Sequence, residues 1–391
     1  MSETLLFLVL AITWIFWLVA LKVVHDLLRS RSRTEAHFTP PVSILKPIRG
    51  LDSQAYENLV SFCEQDYPNF ELLCGVADPQ DPAISVVKRL QRAYPERRIH
   101  LIVGTAFGSN RKASLLHHLA RQAEHEVLVI SDSDMRVMAD YLRRVVPPLA
   151  DEQIGLVTCP YRGGDGTNLT ARMEALYMGA TFLPLVVVAS QLFRVQFAMG
   201  STAVLRQKHL TAAGGFKAIA DHLADDYQLG TRIARLGLRV HLSDYVVTSV
   251  LGRPSFRQLW DREVRWARCN RVSRPLAYPG LLLTFSTPLA LVLLLVGGFG
   301  PAGWLALGLS LSLRWLIAWQ ISGYTGDLGA RRSILWLPVR DLLSALVWCA
   351  GGVGRTVVWR GERFVLQRDG RMQPLPTSTG SWLADLHAWK F

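Results

Sequence analysis

The chain has 391 residues, 50% of them hydrophobic and only 19% charged, with a formal net charge of +12. That apolar share exceeds what a soluble protein carries and points to a globular body joined to membrane segments. The basic residues flank apolar stretches instead of interleaving with aromatics, which suits an anionic lipid surface and speaks against nucleic acid, while five well-separated cysteines exclude a Cys-x-x-Cys or metal-ligand framework.

The run TLLFLVLAITWIFWLVALKVV, residues 4–24, is long enough to span hydrocarbon as a helix. It lacks a basic start and a small-residue cleavage site, so it reads as a retained transmembrane anchor over 1–28. Arg29, Arg31 and Arg33 begin a basic linker over 29–39, and their charge places the following residues in the cytoplasm. From 40 to 250 short β-rich runs alternate with amphipathic stretches, the pattern of β-α-β units and of an α/β, Rossmann-like, mostly parallel sheet. Strands are expected at VSILKP, FELLCGVA, IHLIVG, EVLVISD, IGLVTCP and VHLSDYVVTSV, and helices over 54–64, 83–94, 112–123 and 140–149. Interfacial helices are expected over 251–280. From 281 to 354 hydrophobicity returns in three blocks, and the first two predict a helical hairpin joined at Gly300-Pro301. Arg314 is expensive in lipid and is expected to face another helix or the active-site side. Pro338, Arg340 and Asp341 interrupt the third block, which favours a re-entrant or interfacial segment, with a true span as the alternative. The basic tail, 355–391, carries no assignment. The whole reads as a multi-pass protein of a bacterial-type inner membrane with its α/β domain in the cytoplasm.

In sheets of this kind ligands sit outside the carboxyl ends of the strands, and acids gather at those places here. Asp78 and Asp81 follow FELLCGVA, Asp132-Ser133-Asp134 follows EVLVIS, and Asp225-Asp226 lies in HLADDYQLG. Arg262-Glu-Val-Arg265-Trp266 closes the series. No Gly-x-Gly-x-x-Gly or P-loop follows a strand, so a dinucleotide or P-loop site has no support. Each group also has a purely structural reading. Asp-Pro pairs make turns, Asp and Ser cap helices, acids favour helix starts, and a basic helix can rest on lipid headgroups.

KPIRG, ELLCGVADPQDPAISVVKRL, VISDSDMRV, GLVTCPY, MGSTAVLRQ, AGGF, LADDYQLGTRIARLG and REVRWAR together resemble the ceramide glucosyltransferase family of inverting GT-A glycosyltransferases. Its bacterial hopanoid-biosynthesis branch is the nearest likeness, and the match runs through residues 1 to 280 in order. The resemblance implies that Asp78 and Asp81 contact the uracil and ribose. Asp132 and Asp134 would hold a divalent cation, Mg²⁺ or Mn²⁺, with Asp132 shared with the nucleotide. Asp226 would be the base that deprotonates the acceptor, its pKa raised by Asp225. Arg262 and Arg265, one helical turn apart, would clamp the diphosphate and Trp266 would line the acceptor pocket. Lys46, Asn110 and Lys112 would border the nucleotide. Animal ceramide enzymes carry a histidine in the segment matching GATFLPLVVVAS, where this chain has Phe182 and Leu183. With Leu185, Leu192 and Phe193 these form an apolar lining that suits a bulky lipid, or equally plain core packing. The implied reaction moves N-acetylglucosamine or glucose from a UDP-sugar to the hydroxyl of a membrane lipid, hopanoid or ceramide, with inversion. Two alternatives stand beside it: a processive polysaccharide synthase and a non-catalytic membrane protein that binds nucleotide-sugar.

Overall fold

The structure, a computed structural model, describes residues 3–29, 38–164 and 166–375. Arg31 and Arg33 of the expected linker and residues 376–391 of the tail lie outside the described residues. In chain order the catalytic half has strands β1 (Val42–Pro47), β2 (Phe70–Val76), β3 (Arg98–Val103), β4 (Val127–Ile130), β5 (Met135–Arg136), β6 (Ile154–Thr158), β7 (Tyr161–Gly163), β8 (Ala203–Arg206), β9 (Arg239–Leu242) and β10 (Val247–Ser249). Seven form the central sheet in the order β3-β2-β1-β4-β8-β6-β9, and β5-β10-β7 make a small second sheet.

The pairs β1–β2, β2–β3, β1–β4 and β6–β9 are parallel, while β8 runs antiparallel between β4 and β6. The inner strands β1, β2 and β4 are buried along their whole length. Helices cover both faces, which is why these strands read as unbroken apolar runs. Ile44, Leu72 and Val129 point to a core with Phe62 and Leu90 from the helices Ala55–Cys63 and Ala83–Ala93. Their sequence neighbours Leu45, Leu73 and Leu128 point the other way, against Leu116 of Arg111–Gln122 and Ile233 of Asp225–Arg235. The run expected as one strand over 240–250 divides. Ser243 N donates to Thr158 O at 2.8 Å and the Ser243 hydroxyl accepts from Tyr245 N, so the chain turns out of the main sheet and re-enters as β10 of the small one.

Among the described residues four helices are long and apolar enough to cross a membrane: Glu3–Arg29, Leu169–Gln191, Pro301–Tyr324 and Leu328–Gly352. The expected hairpin is Ser286–Val296 followed by Pro301–Tyr324, with Pro301 in the first helical turn where its missing N–H is harmless. The third block contains a continuous helix, Leu337–Gly352; of the residues that interrupt its hydrophobicity, Pro338 sits in the first turn and Arg340 and Asp341 are buried ion-pair partners. Arg314 faces this helix. Its Nε and Nη2 donate to Asp341 at 3.1 and 2.9 Å, Nη2 also reaches Thr181 Oγ1 at 3.1 Å, and the guanidinium lies 3.8 Å from the Trp17 ring centroid. Arg340 Nη2 meets Glu263 Oε2 at 2.7 Å. Charges in an apolar setting survive by such pairing.

The tail folds into an antiparallel meander, β11 (Thr356–Trp359), β12 (Glu362–Leu366) and β13 (Met372–Pro374). Val357, Phe364, Leu366 and Met372 pack with Leu223 and with Cys269 and Val272 of the helix Phe256–Ser273.

Candidate active site

Because β1 and β4 are neighbours, their carboxyl ends bring Lys46 beside Asp132-Ser133-Asp134. Lys46 is fully buried; its Nζ donates to the Asp132 carbonyl at 2.5 Å and stands 3.8 Å from the Phe62 ring centroid. Burial pulls its pKa down to about 8, against the opposing charges of Asp134 and Asp132. A second lysine arrives from the first turn of Arg111–Gln122. Asn110 starts that helix by accepting from Ala113 N at 2.9 Å, and its amide donates to His222 O at 2.8 Å, so here Asn110 is a cap and a tie between loops. Lys112 Nζ then lies 2.5 Å from Asp132 Oδ1 and 3.5 Å from Asp225 Oδ2. Burial opposes its charge, but Asp132, Asp225 and Asp226 hold the ammonium above its ordinary range.

Asp225 and Asp226 open the helix Asp225–Arg235. Asp226 Oδ2 accepts from Gly200 N at 2.9 Å and Oδ1 from its neighbour Tyr227 N at 2.7 Å. Gly200 O in turn accepts from Asp132 N at 3.2 Å. A Cβ on Gly200 would lie 2.5 Å from Asp132 Oδ2, so only glycine lets the backbone pass between the two acids. Burial, then Asp225, pushes Asp226 up to about 6, with Lys112 opposing. Burial followed by Asp132 and Asp52 likewise pushes Asp134 up to about 6, while Ser249 Oγ donates to it at 3.2 Å. Tyr161 stands by the same acids, its hydroxyl raised by burial and then by Asp226, and its ring lies 4.9 Å from that of Phe182. The sequence reading passes over Gly200 and Asp52. Asp52 Oδ2 accepts the Ser133 hydroxyl at 2.5 Å and so belongs to the acid group, yet RGLDSQ, a few residues after the expected strand VSILKP, carries a lone acid and no pattern that marks it.

Asp132, Asp134, Asp225, Asp226, Lys46 and Lys112 therefore converge. The other expected residues stand differently. Asp81 accepts from Gly50 N at 2.9 and 3.1 Å and from Ala83 N at 2.9 Å, fastening the loop after β1 to a helix start. Asp78 is exposed and closes a turn by accepting from Gln80 N at 2.8 Å. Arg262 Nη1 donates at 2.5 Å to Glu174, whose side chain is fully buried. Arg265, half-buried, has no carboxylate partner among the described residues and faces the ring of Trp359 at 5.9 Å. Burial lowers its pKa, while Asp226 and Tyr161 pull it back up. Of the two guanidiniums, then, Arg265 keeps its donors open for an anion. Trp266 lies partly buried one position on. The proposed apolar lining splits: Leu183 is core beside Trp17, whereas Leu192 and Phe193 are exposed, at 53% and 67%.

Among the described residues no three His, Cys, Asp or Glu side chains gather as a complete metal cage. Asp132 and Asp134 nevertheless suit a hard cation that takes one or two carboxylates and fills its shell with phosphate and water. Asp132, Asp134 and Asp52 crowd negative charge that Lys46 only partly balances, as the raised Asp134 shows.

A family model described as Glycosyl transferase family 21 matches residues 5–372. Ceramide glucosyltransferase 3 of Caenorhabditis elegans is 25% identical over 93% of this chain and 83% of its own length. Ceramide glucosyltransferase 1 of the same organism is 26% identical over 85% of this chain and 73% of its own. Among solved structures, the mannosyltransferase PcManGT from Pyrobaculum calidifontis, in complex with GDP-Man and Mn²⁺, aligns with a TM-score of 0.56 at 20% identity, covering 90% of this chain and 98% of that one. This likeness shows a shared GT-A type fold.

Proposed function

Since the chain belongs to glycosyl transferase family 21 and is a glycosyltransferase, we propose that it moves N-acetylglucosamine or glucose from a UDP-sugar to the hydroxyl of a membrane lipid, with inversion. The supporting observation is the convergence of Asp132, Asp225 and Asp226 on Lys112 and Gly200, which brings four distant segments together. The catalytic domain faces the cytoplasm of a bacterial-type inner membrane, and the acceptor is a hydroxy-lipid of the hopanoid or ceramide kind.

Asp226 is the base. Held by two backbone N–H donors, its carboxylate takes the acceptor's hydroxyl proton as that oxygen bonds to the anomeric carbon and the bond to the diphosphate breaks. Lys112 and Arg265 meet the negative charge on the leaving UDP. Asp132 and Asp134 would hold a divalent cation, which supplies further neutralisation of that charge when bound. Asp78 and Asp81 are the proposed nucleoside contacts, their turns presenting them beside the end of β2. Arg262, held by Glu174, positions the helix that carries Arg265. Trp266 and the exposed Leu192 and Phe193 offer apolar surface to the acceptor.

The test is product identification. Full-length protein in lipid nanodiscs is incubated with Mn²⁺, several UDP-sugars in turn and the total lipids of its host, and products are weighed by mass spectrometry. One lipid heavier by one sugar is expected. A polymeric product would make the chain a processive synthase, and absence of both transfer and donor hydrolysis would make it a non-catalytic binder.

A further inference from the structure

The tail that has no assignment in the sequence lies over the candidate site. Trp359 pairs with Glu362 across the β11–β12 hairpin, leaving Arg360 and Gly361 as a two-residue turn with φ of 52° and 84°. Tight turns with both φ positive match the twist of the strands and ordinarily take asparagine, aspartate or glycine first. An arginine there adopts a left-handed conformation that its Cβ disfavours, and such outliers gather at functional sites.

Every neighbour of the turn belongs to the site or borders it. Arg360 Nη1 is 3.5 Å from Asp52 Oδ1, and the other Asp52 oxygen accepts the hydroxyl of Ser133, the centre of the Asp132-Ser133-Asp134 group. Trp359 faces Arg265. Glu362 meets Arg49 at 3.0 Å and Arg111, the residue before Lys112, at 3.1 Å. From β13 and the turn before it, Met372 N donates to Asp221 O at 2.7 Å and Gly370 O accepts from Leu223 N at 3.1 Å, on the segment leading into Asp225.

We infer that this hairpin is a wall of the donor pocket and that Arg360, at its tip, binds the diphosphate of the nucleotide-sugar. The inference rests on the glycosyltransferase reading above. Arg360 is 44% exposed, and among the described residues its one ion pair is the long contact with Asp52. A guanidinium carries five donors in a fork that matches phosphate oxygens, so most remain available. The turn's ion pairs are all part-exposed, and pairs of that kind contribute little to stability. The apolar contacts of Val357, Phe364, Leu366 and Met372 hold the meander, so the tip can change without loss of the fold.

The experiment uses the full chain in nanodiscs with Mn²⁺, comparing wild type, Arg360→Gln, Arg360→Lys and Glu362→Gln for UDP binding, donor KM, acceptor KM and melting temperature. Loss of a charge-assisted phosphate contact predicts UDP affinity and donor KM weakened roughly tenfold or more in Arg360→Gln, partial recovery in Arg360→Lys, and an acceptor KM within about twofold. Glu362→Gln should leave UDP affinity near wild type. Unchanged UDP affinity in Arg360→Gln would overturn the inference while leaving the glycosyltransferase reading intact. Equal losses in Arg360→Gln and Glu362→Gln, with matching drops in melting temperature, would reduce the turn to a structural clasp and also overturn it. A wild type that binds no UDP would remove both readings together.

Discussion

Two buried charged regions stand on either side of the helix Phe256–Ser273, and they are built on opposite principles. On the membrane side three acids meet three arginines one to one: Glu174 with Arg262, Glu263 with Arg340, and Asp341 with Arg314. On the catalytic side five carboxylates, Asp52, Asp132, Asp134, Asp225 and Asp226, face two buried lysines, Lys46 and Lys112, and the part-exposed Arg360. The first set is neutral pair by pair, which suits a lock between helices, although Arg340 Nε and Nη1, Glu263 Oε1 and Glu174 Oε2 stay buried without hydrogen-bond partners among the described residues. The second carries a surplus of negative charge, and Asp134 and Asp226 are raised by burial first and by the neighbouring acids second. A surplus of this kind asks for a cation, which a neutral set does not, and within it the buried Asp226 beside Asp225 stores basicity near pH 6.

Substitution separates the two. Asp226→Asn should lower kcat by about a thousandfold, within the range of a lost general base, while UDP affinity stays within about threefold, since the amide has the same shape and its oxygen still accepts from one of the two backbone N–H groups, with only the other hydrogen bond lost. Normal turnover in that variant would move the base elsewhere. Arg314→Met should instead act on stability, by about 3–5 kcal/mol, because it leaves Asp341 buried without its partner. Thermal unfolding in nanodiscs reads it, and the double variant Arg314→Met with Asp341→Leu should recover most of the loss. If the double variant is no better than the single, the pair is not the lock described here.

The arginine helix carries Arg262 and Glu263 of the first region and Arg265 beside the second, and this sharpens the contrast. Arg265→Gln should weaken donor binding and turnover by roughly tenfold to a hundredfold with little change in melting temperature. Arg262→Gln should do the reverse, lowering the melting temperature because Glu174 loses its countercharge. Identical profiles for the two variants would mean that both guanidiniums do the same work.

How much of this was legible follows from the range of each interaction. The parallel strands announce themselves because burial on both faces needs only local apolar runs, and β1 coincides with VSILKP. Asp78, Asp81, Asp132 and Asp134 stand out because strand ends precede them, and Asp225-Asp226 because two acids open an amphipathic helix. β8 is short and enters antiparallel, so AVLR inside the MGSTAVLRQ motif shows no direction of its own. Arg340 and Asp341 look like interruptions because their partners, Glu263 and Arg314, lie 77 and 27 residues away. Asp52 and the tail hairpin are visible only once β1, β4 and the meander meet. The one local clue is Arg360-Gly361, a glycine turn with an unusual first residue.

The mildest test addresses the stored basicity itself. A base whose carboxylate has a pKa of about 6 works only when deprotonated, so kcat should fall about tenfold per pH unit below 6 and level off above it. The sign follows from the direction of the shift: burial and Asp225 disfavour the charged form, which moves the limb up from the ordinary carboxylate range. Asp225→Asn removes one of those causes and should move the limb to lower pH, by well under a unit if burial dominates. Lys112→Met removes the opposing charge and should move it to higher pH, with a lower plateau from the role proposed for Lys112 toward the diphosphate. Opposite displacements by two substitutions on either side of one carboxylate would mark Asp226 as the titrating group. A limb that ignores both would place the titration outside the acidic region.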